Sequence, residues 1–192
     1  MKNKKTFIII IAGVIALLAA ATIVFFTVFG GTFNKINGAL KNSRNDFTSL
    51  TSSFTVTDGE QVVYGYAENV ELTDAGAQIK KTTSKLNASF TLSTTEDFTV
   101  VENPDGNSFI NFDFNKDYFT EAKLKNGEFT ATLKSDKIAN FLNADTVIKT
   151  DGKDASVKVI IKDNKIVSAV IGFTTETGKN VNFTLTCEYQ GA

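Results

Sequence analysis

The chain has 192 residues, a formal net charge of −1, one cysteine and no histidine. The lack of histidine excludes a Ser-His-Asp triad, and a single cysteine excludes both a His/Cys zinc site and an intrachain disulfide. Beyond Lys2, Lys4 and Lys5, the remainder carries 17 basic and 21 acidic residues, which is not the charge balance of a nucleic-acid-binding domain. No nucleic-acid partner is therefore expected.

Residues 7–29 form an uncharged, apolar stretch directly after the basic tail. A helix of that length is about 34 Å long, which is enough to cross a hydrocarbon core of about 30 Å. A cleaved signal peptide has an apolar region of only about 7–15 residues, whereas this stretch continues past its small residues Ala19–Ala21. A type IV pilin is disfavoured because Thr6 precedes the stretch and no glutamate lies within it. The pattern favours an uncleaved transmembrane signal anchor over a cleaved signal.

The basic tail also gives the anchor an orientation, because positively charged flanks stay in the cytoplasm. The predicted organisation is a cytoplasmic tail (1–6), a single transmembrane segment (7–29) and one extracytoplasmic domain (30–192) at the cell membrane. The domain is long enough to bury its own core. The absence of tryptophan and the abundance of lysine and asparagine are typical of a bacterial chain.

The external domain begins with a helical pattern and then changes to the alternation of β-strands. Apolar residues at helical spacing predict a helix over about 33–50 that packs on a sheet. From about residue 53 the period becomes two, as in a strand with one buried face. Strands are predicted at Gln61–Tyr66, Gln78–Leu86, Ser89–Leu92, Asp97–Val101, Ser108–Phe114, Tyr118–Leu124 and Glu128–Leu133.

The C-terminal part predicts an antiparallel meander. Three alternating apolar runs, within Val157–Ile161, Val167–Phe173 and Val181–Tyr189, are separated by the turn pairs Asp163–Asn164 and Thr177–Gly178. A short helix precedes the meander, around residues 137–142, and is expected to cover an open sheet face or to plug the mouth of a barrel. The predicted fold class is α+β, mainly β.

Few residues suggest catalysis or metal binding. Asp113–Asp117 places oxygen ligands at alternate positions, as at the start of a calcium loop. Tyr118 then stands where that loop needs glycine, and Leu124 stands where it needs a bidentate glutamate. Cys187 lies on the apolar face of the last strand and is expected to be structural, since no histidine can serve as its base. We expect no enzyme activity, no metal and no cofactor.

The aromatic residues are nearly all phenylalanine, with 17 Phe, 4 Tyr and no Trp. An apolar cavity with few polar groups suits an acyl chain, although the same residues would equally suit a filled core. The candidate lining of a lipid cavity is Phe47, Phe54, Phe90, Phe98, Phe112, Phe129, Phe173 and Phe183.

The order of elements resembles the LolA/LppX-like superfamily of extracytoplasmic lipoprotein and lipid carriers. The resemblance covers about 33–192 and rests on the helix Phe33–Leu50 leading into Ser53–Val56, the helix around Lys137–Leu142, and the meander Val157–Tyr189. It implies a strongly curved antiparallel sheet, or half-barrel, covered by an N-terminal helix and a short later helix. The chain departs from such carriers, which are released or lipid-anchored, by its transmembrane segment. No functional residue is transferred.

The leading functional expectation is a membrane-anchored, extracytoplasmic, non-enzymatic domain that binds a lipid, a lipoprotein segment or another apolar ligand. The main alternative is a structural or protein-interaction module of the cell envelope, with a filled core and no ligand. An enzyme is the third alternative, and it would need a cleft that gathers several carboxylates. The space beneath the helices distinguishes these alternatives.

Overall fold

Nine antiparallel strands form one sheet in the part of the chain that the computed structural model describes, residues 31–144 and 148–190. The strands are β1 (Phe47–Asp58), β2 (Gln61–Thr73), β3 (Gly76–Leu86), β4 (Leu92–Val101), β5 (Phe119–Lys125), β6 (Glu128–Leu133), β7 (Ala155–Lys162), β8 (Lys165–Thr174) and β9 (Asn180–Tyr189). Their order across the sheet is β4-β3-β2-β1-β9-β8-β7-β6-β5, so the sheet is not closed and β4 and β5 are its edges. The mainly β, antiparallel fold class is confirmed.

Helices accompany the sheet on the described part of the chain. They are α1 (31–46), α2 (Gly106–Phe109) and α3 (Ile138–Phe141), with 3-10 turns at Lys116–Tyr118 and Ser135–Lys137. Phe33, Ile36 and Leu40 form the buried stripe of α1, at the spacing of one helix face. The predicted short helix before the meander is confirmed, because residues 135–137 form a 3-10 turn that leads directly into α3.

The predicted tail and transmembrane anchor, residues 1–29, lie outside the described residues. Within 31–144 and 148–190, no helix has the length and apolar character needed to cross a membrane. The anchor remains a prediction from the sequence.

The predicted first helix extends too far, because α1 ends at residue 46 and β1 begins at Phe47. Phe47 pairs with Tyr189, but Ser49 pairs with Glu188, so the register shifts at the start of β1. Such a β-bulge places an extra residue in one strand and turns the side chains that follow. Phe47 and Leu50 are both buried as a result, at the i, i+3 spacing that also predicts a helix.

The predicted strand Ser108–Phe114 is wrong. Residues 102–118, which we call the strap, connect the edge strands β4 and β5, and they contain α2 followed by an unpaired extended segment. The alternation correctly predicts that Ile110, Phe112 and Phe114 are buried, although these residues pair with no strand. Their backbone groups are bonded elsewhere, for example the Ile110 carbonyl to the Arg44 side chain at 2.8 Å.

The turn chemistry of the sequence is largely borne out. Asp163 and Asn164 both have positive φ, 51° and 57°, as a two-residue hairpin turn between β7 and β8 requires. Ser89–Leu92, predicted as a strand, is instead mostly the β3–β4 turn, and β4 begins only at Leu92. The Asn87 side chain causes this difference, because its Oδ1 accepts from the N–H groups of Ser89 and Thr91, both at 2.9 Å.

Replacing Gly38 with alanine is expected to stabilise the protein by about 0.5–1 kcal/mol. Gly38 lies inside α1, and nothing lies within 4 Å of the position that the added Cβ would occupy. Alanine therefore gains helix propensity without a clash. The measurement is the urea midpoint of the full chain in a mild detergent, followed by far-ultraviolet circular dichroism. A lower midpoint than that of the wild type would contradict the prediction.

Candidate functional site

The helices and the strap cover one face of the sheet, which we call the inner face. Phe33 of α1 contacts Phe129 of β6, with ring centroids 5.9 Å apart. Phe112 of the strap contacts Phe183 of β9 at 5.7 Å and stacks on Phe141 of α3 at 5.2 Å. Over β5–β9 this face is therefore filled by aromatic packing. The sequence alone allows a lipid cavity there as one of two possibilities.

The inner face continues beyond this filled half onto β1 and β2, where the side chains are only half-buried. The strand register aligns Phe183 of β9 with Phe54 of β1, and Phe54 with Tyr66 of β2. Tyr64 lies two residues before Tyr66 on the same face, and its ring is 6.3 Å from that of Phe54. We call these four residues, Phe54, Tyr64, Tyr66 and Phe183, the aromatic floor.

The floor is continuous with the core at one side. The Phe183 ring touches Phe112 of the strap, and Ile171, which pairs with Phe183, is fully buried. Among the described residues, no ring contact from α1, the strap or α3 reaches farther along the floor than Phe183. The floor is thus an apolar surface that is attached to the core and only partly covered.

Beyond the floor, the same face becomes polar on β3 and β4. Thr83 pairs with Tyr66 and Lys85 pairs with Tyr64. Ser93 and Thr95 of β4 pair with Lys85 and Thr83. We call these four residues, Thr83, Lys85, Ser93 and Thr95, the polar rim. An apolar surface and a hydrogen-bonding surface therefore adjoin on one face.

One acidic group lies beside the floor and is already engaged. The Tyr66 hydroxyl donates to the Glu68 carboxylate at 2.6 Å, and Lys81 lies 3.9 Å from the same carboxylate. Burial and the bond to Glu68 raise the pKa of Tyr66 well above its usual value. Tyr66 therefore stays protonated at neutral pH and acts as a hydrogen-bond donor.

The eight phenylalanines proposed from the sequence occupy three environments. Phe47, Phe112, Phe129 and Phe173 are buried in the core, and Phe54 and Phe183 are half-buried in the aromatic floor, whereas Phe90 and Phe98 are exposed. The structure therefore brings together only Phe54 and Phe183 on a surface that a ligand could reach, with Phe112 behind them.

Phe90 and Phe98 correct the expectation that all eight residues share one lining. Phe90 lies in the β3–β4 turn with φ of 56° and is 78% exposed. Phe98 pairs with Lys80 on the face opposite to the floor and is 68% exposed. Phe98 lies one residue out of phase with Ser93 and Thr95, and a strand turns successive side chains to opposite faces.

An open cleft of about 690 Å³ lies near the other end of the sheet, where α1 meets β1. Its lysine is already engaged, since Lys165 forms an ion pair with Asp46 at 3.0 Å and lies 5.0 Å from the centre of the Tyr189 ring. Thr73 and Asp74 form the opposite wall. Most of the lining is polar, so the cleft suits an apolar ligand less well than the aromatic floor does.

The groups considered for chemistry have structural roles. Burial raises the pKa of the Cys187 thiol to about 12, so the reactive thiolate is scarce at neutral pH. In the calcium-like segment, Asn115 caps a 3-10 turn by accepting from the Asp117 N–H at 3.0 Å. Among the described residues, no group of three or more acidic or cysteine side chains is placed to hold a metal ion.

Sequence reasoning missed Tyr64, Tyr66 and Lys85. Its predicted strand Gln61–Tyr66 contained both tyrosines, but β2 continues to Thr73 and β1 begins at Phe47. Only the complete register of β1 with β2 and β9 shows which residues share the face of Phe54. The spacing of Tyr64 and Tyr66, two residues apart in a predicted strand, was the signal that places both rings on one face.

No protein-family model matches the sequence, and a search of curated proteins also finds no match. Among solved structures, the chain is similar to LprF from Mycobacterium bovis, with a TM-score of 0.43 and 10% identity, covering 85% of this chain and 94% of that one. It is also similar to the Mycobacterium tuberculosis lipoprotein LppX, with a TM-score of 0.44 and 9% identity, covering 85% of this chain and 97% of that one. LppX is one of the proteins after which the superfamily that the order of elements resembles is named. At these identities and TM-scores, no superfamily, ligand or residue role is transferred to this chain.

Proposed function

We propose that the chain is a membrane-anchored, non-enzymatic domain that binds an apolar ligand, a lipid or the acylated segment of a lipoprotein, on the aromatic floor. The observation that carries the proposal is the half-buried set Phe54, Tyr64, Tyr66 and Phe183, which extends the core surface beyond the ring contact between Phe112 and Phe183. An acyl chain on this surface removes apolar area from water on both partners.

The floor offers an acyl chain a favourable hydrophobic contribution to binding. Each buried methylene contributes about 0.8 kcal/mol, so about eight methylenes contribute roughly 6 kcal/mol. Association and ordering of the chain offset part of this gain. The aromatic rings add little entropic cost of their own, since they are held by neighbouring rings and have few rotatable bonds.

The proposed location follows from the sequence. Residues 7–29 would hold the chain in the cell membrane with residues 1–6 in the cytoplasm, and the domain would lie outside. A tethered domain cannot cross a wide gap. The proposed ligand would therefore be taken up or presented near the membrane that holds the anchor.

Photolabelling of the full chain in native membranes tests the proposal. A phospholipid with a photoactivatable acyl chain is expected to label Phe54, Tyr64 and Phe183, with sites assigned by fragment mass spectrometry. Replacing Phe54 with serine is expected to reduce labelling of the other two residues by roughly fivefold to tenfold, because an apolar contact of about 1–1.5 kcal/mol is lost.

Phe98 supplies the matched control, because it lies in the same sheet but on the opposite face. Replacing Phe98 with serine should leave labelling of the floor unchanged. Equal labelling of the two variants, or labels confined to residues 7–29, would refute binding on the floor. Urea denaturation of both variants distinguishes a lost contact from lost folding.

A second candidate function is a protein-interaction module that uses the edge strand β4. All ten of its residues are exposed, including Phe98 at 68% and Val100 at 62%. An edge strand presents free backbone groups to which another strand can pair. This alternative predicts protein crosslinks at β4 in membranes and no lipid label on Phe54.

A further inference from the structure

The inner face changes its chemistry in a regular order across the strands. One row of paired residues begins with buried Ile171 of β8 and continues through Phe183, Phe54 and Tyr66 to Thr83 of β3. Side chains in such a row are cross-strand neighbours about 5 Å apart. The row therefore changes from apolar to polar side chains, as an amphiphile changes from an apolar tail to a polar head.

The neighbouring row ends on a positive charge. Val56 of β1 pairs with Tyr64, Tyr64 with Lys85, and Lys85 with Ser93. The Lys85 ammonium lies 5.9 Å from the centre of the Tyr64 ring, so the charge directly adjoins the aromatic floor. Lys85 is exposed and forms no ion pair with another described residue.

The other lysines of β3 are already matched. Lys80 points to the opposite face and bonds Glu96 at 2.8 Å. Lys81 shares the inner face but lies 3.9 Å from Glu68, whose carboxylate also accepts from Tyr66. Lys85 is thus the lysine of this strand whose charge is available to a ligand on the floor.

Two hydroxyl residues of β4, Ser93 and Thr95, pair with Lys85 and Thr83 on the same face. Ser93 donates to the Lys85 carbonyl at 3.3 Å, and Thr95 donates to the Thr83 carbonyl at 3.5 Å. These bonds are long and therefore weak, and a hydroxyl rotates readily to a better acceptor. Both groups can turn toward a head group that sits beside Lys85.

We infer that the ligand of the aromatic floor is an anionic lipid, with its acyl chain on Phe54 and Tyr64 and its phosphate or carboxylate beside Lys85. The inference rests on the proposed function and adds the charge of the ligand. Hydrogen bonds between an ammonium and an anionic oxygen are stronger than those between neutral groups. Since Lys85 is exposed, we expect anionic lipids to bind only about threefold to tenfold more tightly than neutral ones of the same chain length.

Competition with a neutral photolabel provides the test. The full chain, reconstituted in phosphatidylcholine vesicles, is labelled with a photoactivatable monoacylglycerol in the presence of lauric acid, lauroyl lysophosphatidic acid or monolauroylglycerol. The two anionic competitors should displace the label at lower concentration than the neutral one, and comparison of the two separates carboxylate from phosphate recognition. Inorganic phosphate without an acyl chain should displace nothing.

The variant Lys85→Gln should abolish the preference for anionic competitors while the neutral label still reaches the floor. Lys80→Gln, which removes a charge from the other face of the same strand, should keep the preference. Neutral labelling without any preference, or a preference that survives in Lys85→Gln, would overturn this inference and leave the proposed function standing. If no lipid labels the floor, both fail.

Discussion

Replacing Phe129 with alanine is expected to lower the free energy of unfolding by about 3–5 kcal/mol, as for other fully buried phenylalanines. The Phe129 side chain has no exposed surface. Its ring lies 5.9 Å from Phe33 of α1, 5.7 Å from Phe114 of the strap and 6.1 Å from Phe119 of β5. The cavity left by alanine would therefore open between three separate elements, which cannot collapse together easily.

The measurement is urea denaturation of the full chain in mild detergent, with Phe98→Ala as the control. Phe98 is largely exposed and has a cation–π contact with Lys80 at 5.5 Å, so its loss should change the free energy of unfolding by less than about 1 kcal/mol. A loss below about 1.5 kcal/mol for Phe129→Ala would mean that the site repacks. The ring contacts of Phe129 would then not be what holds α1 against the sheet.

The C-terminal meander could be predicted because its local signals agree. In β9 the buried Val181, Leu185 and Cys187 alternate with exposed residues, as expected for a sheet with one buried face. The turn pair Asp163–Asn164 also has the backbone conformation that its residue types favour. When periodicity and turn chemistry indicate the same structure, a strand can be placed without knowledge of its partners.

The first helix and the strap could not be predicted correctly because one pattern fits two structures. Phe47 and Leu50 are three residues apart, which suits a helix and equally suits a bulged strand. Ile110 and Phe112 alternate like strand residues, yet they are buried by the strap without strand pairing. The difference is decided by distant partners, here the Arg44 side chain, which donates to both of their carbonyls.

The candidate site was predictable only in part, for the same reason. Phe54 and Phe183 were selected for their residue type, and they do lie together because β1 pairs with β9 across more than a hundred residues of chain. Phe98 was selected in the same way and lies on the other face. A shift of one residue in register moves a side chain to the opposite face, and a sequence does not fix register over such distances.

The strap borders the aromatic floor, so a change in the position of the strap is expected to affect binding of the proposed ligand. Phe112 of the strap touches Phe183 of the floor, with ring centroids 5.7 Å apart. Arg44 of α1 holds the strap through its Nε, which donates to the Ile110 carbonyl at 2.8 Å, and through its Nη2, which donates to the Phe112 carbonyl at 3.2 Å. A displacement of the strap should therefore disturb the floor as well as the core.

Replacing Gly106 with alanine should cause such a displacement. The added Cβ would lie 1.8 Å from the Arg44 carbonyl oxygen and 2.7 Å from its carbonyl carbon, distances at which one backbone must move. Overpacking of this kind typically costs about 1–3 kcal/mol, and here the contact is with backbone that cannot rotate away. We expect faster hydrogen exchange in the strap, a lower urea midpoint and weaker lipid labelling of Phe183.

Gly172→Ala is the matched control, because its added Cβ would meet only the Ser156 hydroxyl, at 3.5 Å. That variant should retain both wild-type stability and wild-type labelling. If Gly106→Ala unfolds at the same urea concentration as Gly172→Ala, the strap is not held against α1 as described. If it is destabilised but Phe183 is labelled as in the wild type, then binding of the ligand does not depend on Phe112. The ligand would then lie on the part of the floor away from the strap, toward Tyr64 and Lys85.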